Sequence, residues 1–172
     1  DEFLENAGFA TVGDVMDLQD ENRILVKIGL KMLNHTKNLG MRALILQNQL
    51  QPGELKAHHI GFRIGPCLNA SGRLDTAQRS LRLLLSEDAL EAGTLAAELV
   101  SLNEERKNMT ALAVEDAKRV ISENGMEEDK VLVVFLPDCH ESLAGIVAGR
   151  IREQYDRPAL VLTRGEESAK GS

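Results

Sequence analysis

No proline interrupts the sequence from Glu87 to Glu123, and Leu95, Leu99, Leu102, Met109, Ala113, Ala117 and Val120 trace one seam through it, with Arg106 in the remaining slot. That spacing predicts a single helix. Ser86 can cap it, Glu87 and Asp88 fit its first turn, and Asn124–Gly125 offers a left-handed stop. At ~1.5 Å per residue the helix would span roughly 55 Å, more than the width of a small domain. Its apolar seam is narrow and flanked by Glu104, Glu105 and Lys107, the pattern of a connector between two domains rather than of a core element. A coiled-coil dimer is the alternative, with Ala113 and Ala117 small for its seam. A non-catalytic helical interaction module would use Leu95, Leu99 and Leu102 in the same way.

The pattern changes on either side of this helix. Val131–Leu136 is a continuous apolar run, as expected of a strand buried on both faces of a parallel sheet. A loop at Pro137–Glu141, a helix over Ser142–Tyr155 and a second apolar strand at Ala159–Thr163 complete a β-α-β unit. Gly145 and Gly149 share a helix face and suit close approach to the sheet. Upstream, Glu2–Ala7 reads as a last helical turn stopped by Gly8. Phe9–Val12 reads as a short strand that places Asp14 at its carboxyl end, where α/β sheets collect ligands. A helix then opens at Asp20–Glu21–Asn22 and runs through Leu25, Ile28, Leu33 and Leu39 to Gly40. A short helix over Ala43–Leu50, a turn at Gln51–Pro52–Gly53 and a helix capped by Asp75 follow. The fold class is α/β.

With 172 residues, 43% of them hydrophobic, the chain can bury one sizeable core or two small ones. It has neither a signal peptide nor an eighteen-residue apolar run, and reads as soluble and cytoplasmic. Cys67 and Cys139 form no disulfide framework or metal spacing and read as free thiols. The net charge of −7 argues against wholesale attraction to a polyanion. Between Lys56 and Arg82, however, five cations face only Asp75, a local +4 that leaves −11 for the rest. At the centre of this segment lies Gly61–Ala77, where Gly61, Gly65, Pro66 and Gly72 suggest a backbone cradle pinned by Phe62, Ile64 and Leu68. Arg63, Arg73 and Asn69 would grip an anion there; an ordinary loop with solvated arginines is the plain alternative. His58 and His59 read as solvent-facing. With Tyr155 and four phenylalanines as its only aromatics, the chain has no base-stacking platform, so a single strand would be held by its phosphates.

Three motifs among these stretches, in order, and the pattern of the long helix resemble RecJ-type single-stranded-DNA-specific exonucleases of the DHH phosphoesterase superfamily. Thr11–Leu18 is similar to the fourth DHH motif, whose first Asp is a metal ligand; that maps the role to Asp14, with Asp17 a second candidate. Phe62–Leu74 is similar to the family's F-R-I-x-P-x-x-N-A-x-x-R-L run, with Cys67 where members often carry a basic residue. Leu99–Asn103–Arg106 follows the pattern of the family's connecting helix, and His140–Ile151 resembles the H-x-x-x-x-G-I-V-A-x-R-I signature of the DHH-associated domain. Arg157–Pro158–Ala159 and the closing Lys170–Gly171–Ser172 also fit, and both ends of the chain read as cut.

The resemblance implies the carboxyl-terminal part of a DHH domain over 1–86, a long connecting helix over 87–124 and a partial DHH-associated domain over 125–172. It further implies a monomeric DNA-repair and recombination hydrolase that uses Mn2+ or Mg2+, acts from the 5′ end of single-stranded DNA and meets repair proteins but no membrane. Asp14 and His140 would be catalytic, Asp14 as a metal ligand. Arg63, Asn69, Arg73, Ser142 and Arg150 would contact nucleic acid. The Asp-His-His motif is missing from this sequence, so the chain by itself is expected to be inactive. A different DHH phosphoesterase, acting on oligonucleotides or cyclic dinucleotides, would share the same logic.

Overall fold

A computed structural model describes residues 3–172, and the chain divides into two compact units, Asp1–Glu104 and Glu105–Ser172. The first unit is helical. Helix α1 (Leu4–Gly13) packs on α2 (Asp20–Leu33) through Gly8 and Gly29. A Cβ on Gly8 would lie 2.8 Å from the Leu25 carbonyl oxygen and 2.9 Å from Gly29 Cα, so the two backbones meet directly. Gly8 is therefore a packing residue inside α1, not a stop. The strand expected at Phe9–Val12 is helix, because the partly buried Phe9 and Val12 pack on the core only from a helical face; tertiary contact outweighs their β propensity. Of the helical turn expected at Glu2–Ala7, Glu2 lies outside the described residues.

The helix from Asp20 ends at Leu33 rather than Gly40. Asn34 folds the chain there: its side chain accepts from the Leu55 amide at 2.7 Å and donates to the Leu55 carbonyl at 3.1 Å. Asn38 then caps α3 (Leu39–Gln47), its Oδ1 accepting from the Met41 amide at 2.8 Å. Gly40 is buried inside α3 against the backbone of Leu83.

The expected cradle is helical. A short turn, α4 (Ala57–His59), runs into a π-helical turn (Ile60–Ile64) and then α5 (Gly65–Leu74). Pro66 in the first turn of α5 has no amide proton to give, and the Gly65 amide bonds five residues back to Ile60. Ile64 is fully buried and anchors the turn, whereas Phe62, expected to pin it, is 79% exposed. Asp75 stands at the end of α5 and pairs with Arg79 at 2.6 Å instead of capping α6 (Gln78–Leu85).

Helix α7 (Ala89–Glu123) runs unbroken for 35 residues. Its cap is Asp88, whose Oδ1 accepts from the amides of Leu90 and Glu91 at 2.7 and 2.9 Å; Ser86 instead donates to the Glu91 carboxylate. Gly125, at φ 64°, closes it as expected. The unit boundary falls inside α7, so the helix runs from one unit into the other, and each half is also a core element, which the narrow seam did not suggest. Ala92, Leu95, Ala96 and Leu99 complete the first core with Leu44, Ile45, Ile60, Ile64 and Leu83, while Ala113, Ala117 and Ile121 belong to the second. Each fully buried Leu or Ile contributes ~1.5–3 kcal/mol.

In the second unit, β1 (Leu132–Phe135) and β2 (Ala159–Arg164) are parallel, with Leu132 opposite Ala159 and Phe135 opposite Leu162. Helix α8 (Ala144–Tyr155) connects them, and β3 (Ala169–Gly171) adds an antiparallel edge. Leu132, Val134 and Val161 join α7 and α8 in the core. Val133 and Phe135 are 47% and 49% exposed, so β1 is buried on one face and not on two. Of the two glycines of α8, Gly145 lies close to the sheet, against Ser172, which exchanges backbone hydrogen bonds with Val161 of β2, and Gly149 does not. A Cβ on Gly149 would meet nothing within 4 Å, and one on Gly145 would meet the Ser172 side chain.

Candidate nucleic-acid interface

Each unit carries part of the expected site. In the first unit, the α1 helix ends in a tight turn. The Asp14 amide donates to Ala10 at 2.9 Å and the Met16 amide to Thr11 at 3.1 Å. Val15 takes φ 55°, a costly conformation for a β-branched residue, and the turn leaves the Asp14 carboxylate exposed. A Cβ on Gly61 would lie 3.9 Å from Val12 Cγ1, so this end of α1 lies beside the π-helical turn. Among the described residues no three His, Cys, Asp or Glu side chains group to hold a metal ion. Asp14 is one carboxylate, and a divalent cation needs more protein oxygens than that.

Arg63 sits in the π-helical turn, where its guanidinium donates to the carbonyl of Asn48 at the end of α3. Beneath it is a polar cluster that the sequence did not announce. The fully buried Cys67 thiol donates to the Arg63 carbonyl at 3.1 Å, with the Asn48 and Asn103 amides 3.7 and 3.6 Å from the sulfur. Cys67 thus faces inward, so its place in the sequence is not a surface contact in this chain. Asn103, only 3% exposed, carries the cluster to α7. Asn69 and Arg73 stand four residues apart on α5, both exposed, which places them as neighbours on one helix face.

His58 is exposed and His59 half-buried. The Lys56 amide donates to His59 Nδ1 at 3.1 Å, and desolvation, followed by the nearby His58, lowers the His59 pKa.

In the second unit, His140 lies in the loop after β1 and caps the turn that leads into α8. Its Nδ1 accepts from the Ser142 amide at 3.3 Å and lies 2.8 Å from the Ser142 hydroxyl. An Nδ1 that accepts leaves the proton of the neutral ring on Nε2, so the outward nitrogen is a donor. The loop is tied to β2 by Thr163, whose hydroxyl donates to the Cys139 carbonyl at 2.5 Å. A cavity of about 310 Å³ opens beside it, where Asp138, Cys139 and His140 face Asp116 and Arg119 of α7. Burial raises the Cys139 pKa. Arg150 projects from α8 into a different groove, which Arg106, Lys107 and Thr110 of α7 also line.

No family model matches the chain. Among curated proteins it is 37% identical over 174 residues to the single-stranded-DNA-specific exonuclease RecJ of Bacillus subtilis, a match that takes in 100% of this chain and 22% of that protein. The chain is similar along its whole length to a segment of RecJ. The fold agrees: the crystal structure of RecJ from Thermus thermophilus in complex with Mg2+ superimposes at a TM-score of 0.84 with 35% identity, over 95% of this chain and 26% of that one. A crystal structure of exonuclease RecJ bound to manganese gives 0.81 at 35% identity, over 94% of this chain and 41% of that one. The α/β architecture expected from the sequence is therefore that of a RecJ segment, and solved RecJ structures hold Mg2+ or Mn2+. Among the described residues no helix is long and apolar enough to cross a membrane.

Proposed function

We propose that this chain is the strand-gripping segment of a RecJ-type exonuclease, which hydrolyses phosphodiester bonds from the 5′ end of single-stranded DNA in cytoplasmic repair and recombination. The observation that carries the reading is the RecJ similarity along the whole chain. Residues 1–86 belong to the DHH domain, 87–124 to the connecting helix and 125–172 to the DHH-associated domain. Exposed Asn69 and Arg73, with Arg63 steadied by Asn48, hold backbone phosphates. His140 donates from Nε2 to a phosphate oxygen, and Ser142 fixes that tautomer. In this role His140 is a hydrogen-bond donor, not a base.

Asp14 offers one carboxylate to a divalent cation, and because the described residues assemble no cation site, no hydrolytic step is assigned to this chain alone. Incubation of the chain with end-labelled single-stranded DNA and Mn2+ tests the reading. No nucleotide release is expected, while the parent protein releases nucleotides and loses at least about 100-fold of its rate with Asp14→Asn, as loss of a metal ligand requires. Metal-dependent release by the chain alone would place the active site elsewhere.

A further inference from the structure

We infer that the pocket between the start of α1 and the turn after α2 is a binding site for a small phosphate dianion, held by Lys31, His35 and Lys37. Between Glu21 and Glu54 the sequence has no acidic residue and five cations, Arg23, Lys27, Lys31, Lys37 and Arg42, a local +5 in a chain of net −7. Two of the five, Lys31 and Lys37, meet His35 around one concavity of about 890 Å³, to which Ile28 and Met32 of α2 add apolar wall. All three basic residues are exposed. The pocket belongs to the first unit and lies at the amino-terminal end of α1, whereas Asp14 follows the carboxyl end. Asp14, Arg63, Asn69 and Arg73 do not line it.

Among the described residues neither Lys31 nor Lys37 is in an ion pair. Among them, too, Glu5 is the one carboxylate on the wall, and its Oε1 accepts the Thr36 hydroxyl at 2.5 Å. Two lysines against one carboxylate leave +1 with His35 neutral. The turn that carries His35, Thr36 and Lys37 is tied down on both sides. Asn34 bonds the amide and carbonyl of Leu55, the Asn38 amide donates to Thr36 Oγ1 at 3.1 Å, and Asn38 Nδ2 donates to the Leu84 carbonyl at 2.7 Å. The backbone that presents the cations is therefore set before a ligand arrives, and only side-chain ordering opposes binding. Ammonium groups are compact point charges without the planar fork of arginine, which suits a tetrahedral anion. Coulomb attraction scales with the ligand's charge, so a phosphate monoester or inorganic phosphate, with two charges, gains more than a singly charged diester. The volume leaves room for a small organic group against Ile28 and Met32.

Amide NMR of the chain, titrated at constant ionic strength with inorganic phosphate, thymidine 5′-monophosphate, thymidine and an oligothymidylate without terminal phosphate, tests the site. Saturable shifts are expected at Glu5, Lys31 and His35–Asn38 with the first two ligands. Tighter binding of thymidine 5′-monophosphate than of phosphate identifies a nucleotide as the ligand, and equal binding identifies inorganic phosphate. Lys31→Gln and Lys37→Gln should each weaken binding several-fold. Glu5→Gln, which keeps an acceptor for Thr36 and removes the charge, should tighten it several-fold, a gain that a merely structural Glu5 would not give. Circular dichroism melts show whether each variant is folded, and the two exposed lysines carry the test if Glu5→Gln is not. No saturable shift at these amides, or shifts unaltered by both lysine variants, overturns the site. Thymidine or the oligothymidylate binding there as tightly as the phosphate ligands overturns it as well, by making the pocket a nucleoside site or a strand contact.

Discussion

Two glycine-bearing helices, α8 and α1, make opposite predictions from the same substitution. In α8 a Cβ at Gly149 would meet nothing within 4 Å, so Gly149→Ala adds a methyl group to open space and removes a flexible residue from a helix interior. The gain is the propensity difference, about 0.8–1.0 kcal/mol. In α1 a Cβ at Gly8 would press on the Leu25 carbonyl and on Gly29 Cα, both backbone, at 2.8 and 2.9 Å. Neither atom can swing aside, so α1 and α2 must separate; overpacking of this kind costs about 1–3 kcal/mol and outweighs the propensity gain. Native-state hydrogen exchange reads the two units separately. Amides of Val134 and Val161 should gain roughly 4- to 5-fold protection in Gly149→Ala, since about 1.4 kcal/mol is a factor of 10. Those of Leu44 and Ile45 should lose protection in Gly8→Ala. A Gly149→Ala protein with weaker protection around β1 and β2 would mean that this glycine does pack closely, and the reasoning from its open surroundings would be wrong.

Three further outcomes follow from side-chain chemistry. The Ser86 hydroxyl, then the Arg82 guanidinium, lowers the Glu91 pKa, so the stability this carboxylate adds is present above its ordinary value of 4.5 and is lost as pH falls through the lower folded value; Glu91→Gln should show a shallower loss of stability in acid melts below that pH. Cys67 is fully buried and Cys139 is not, so a thiol reagent should modify Cys139 in the native chain and Cys67 only after denaturation, with Cys139 slowed by its raised pKa. For neutral His140, nitrogen-detected NMR should report a proton on Nε2. A proton on Nδ1 would contradict the hydrogen bond from the Ser142 amide.

Much of the second unit was legible because its signals are local. A period change from helix to apolar run marks β1 and β2, and Asn124–Gly125 marks the end of α7, where Gly125 indeed takes a left-handed conformation. The first unit was misread where a tertiary contact decides. Nothing in Phe9–Val12 distinguishes a strand from a helix whose glycine one turn earlier meets another helix, and Gly8 and Gly29 are far apart in sequence. Gly40 misleads for the same reason: it allows Leu83 to approach, yet in sequence it looks like a helix stop. The burial of β1 was overestimated, two faces for one, because an apolar run says how much surface a strand offers and not how many of its faces are covered.

At the interface, residue identity was legible and presentation was not. Glycine and proline in Gly61–Ala77 suggest a loop, but a proline in a first turn is also how a helix begins, and the π-helical turn absorbs its missing donor. The consequence is physical: arginines in a flexible loop would lose conformational entropy on gripping a phosphate, whereas Asn69 and Arg73 on a helix, and Arg63 bonded to Asn48, are held before any strand arrives. The α7–α8 groove was likewise hidden in the sequence. Arg106 reads in sequence as the polar slot of an apolar seam, and Lys107 as one more solvated charge beside it. Only the packing of α8 across them turns two neighbouring cations on one helix and Arg150 on another into a single surface with a direction.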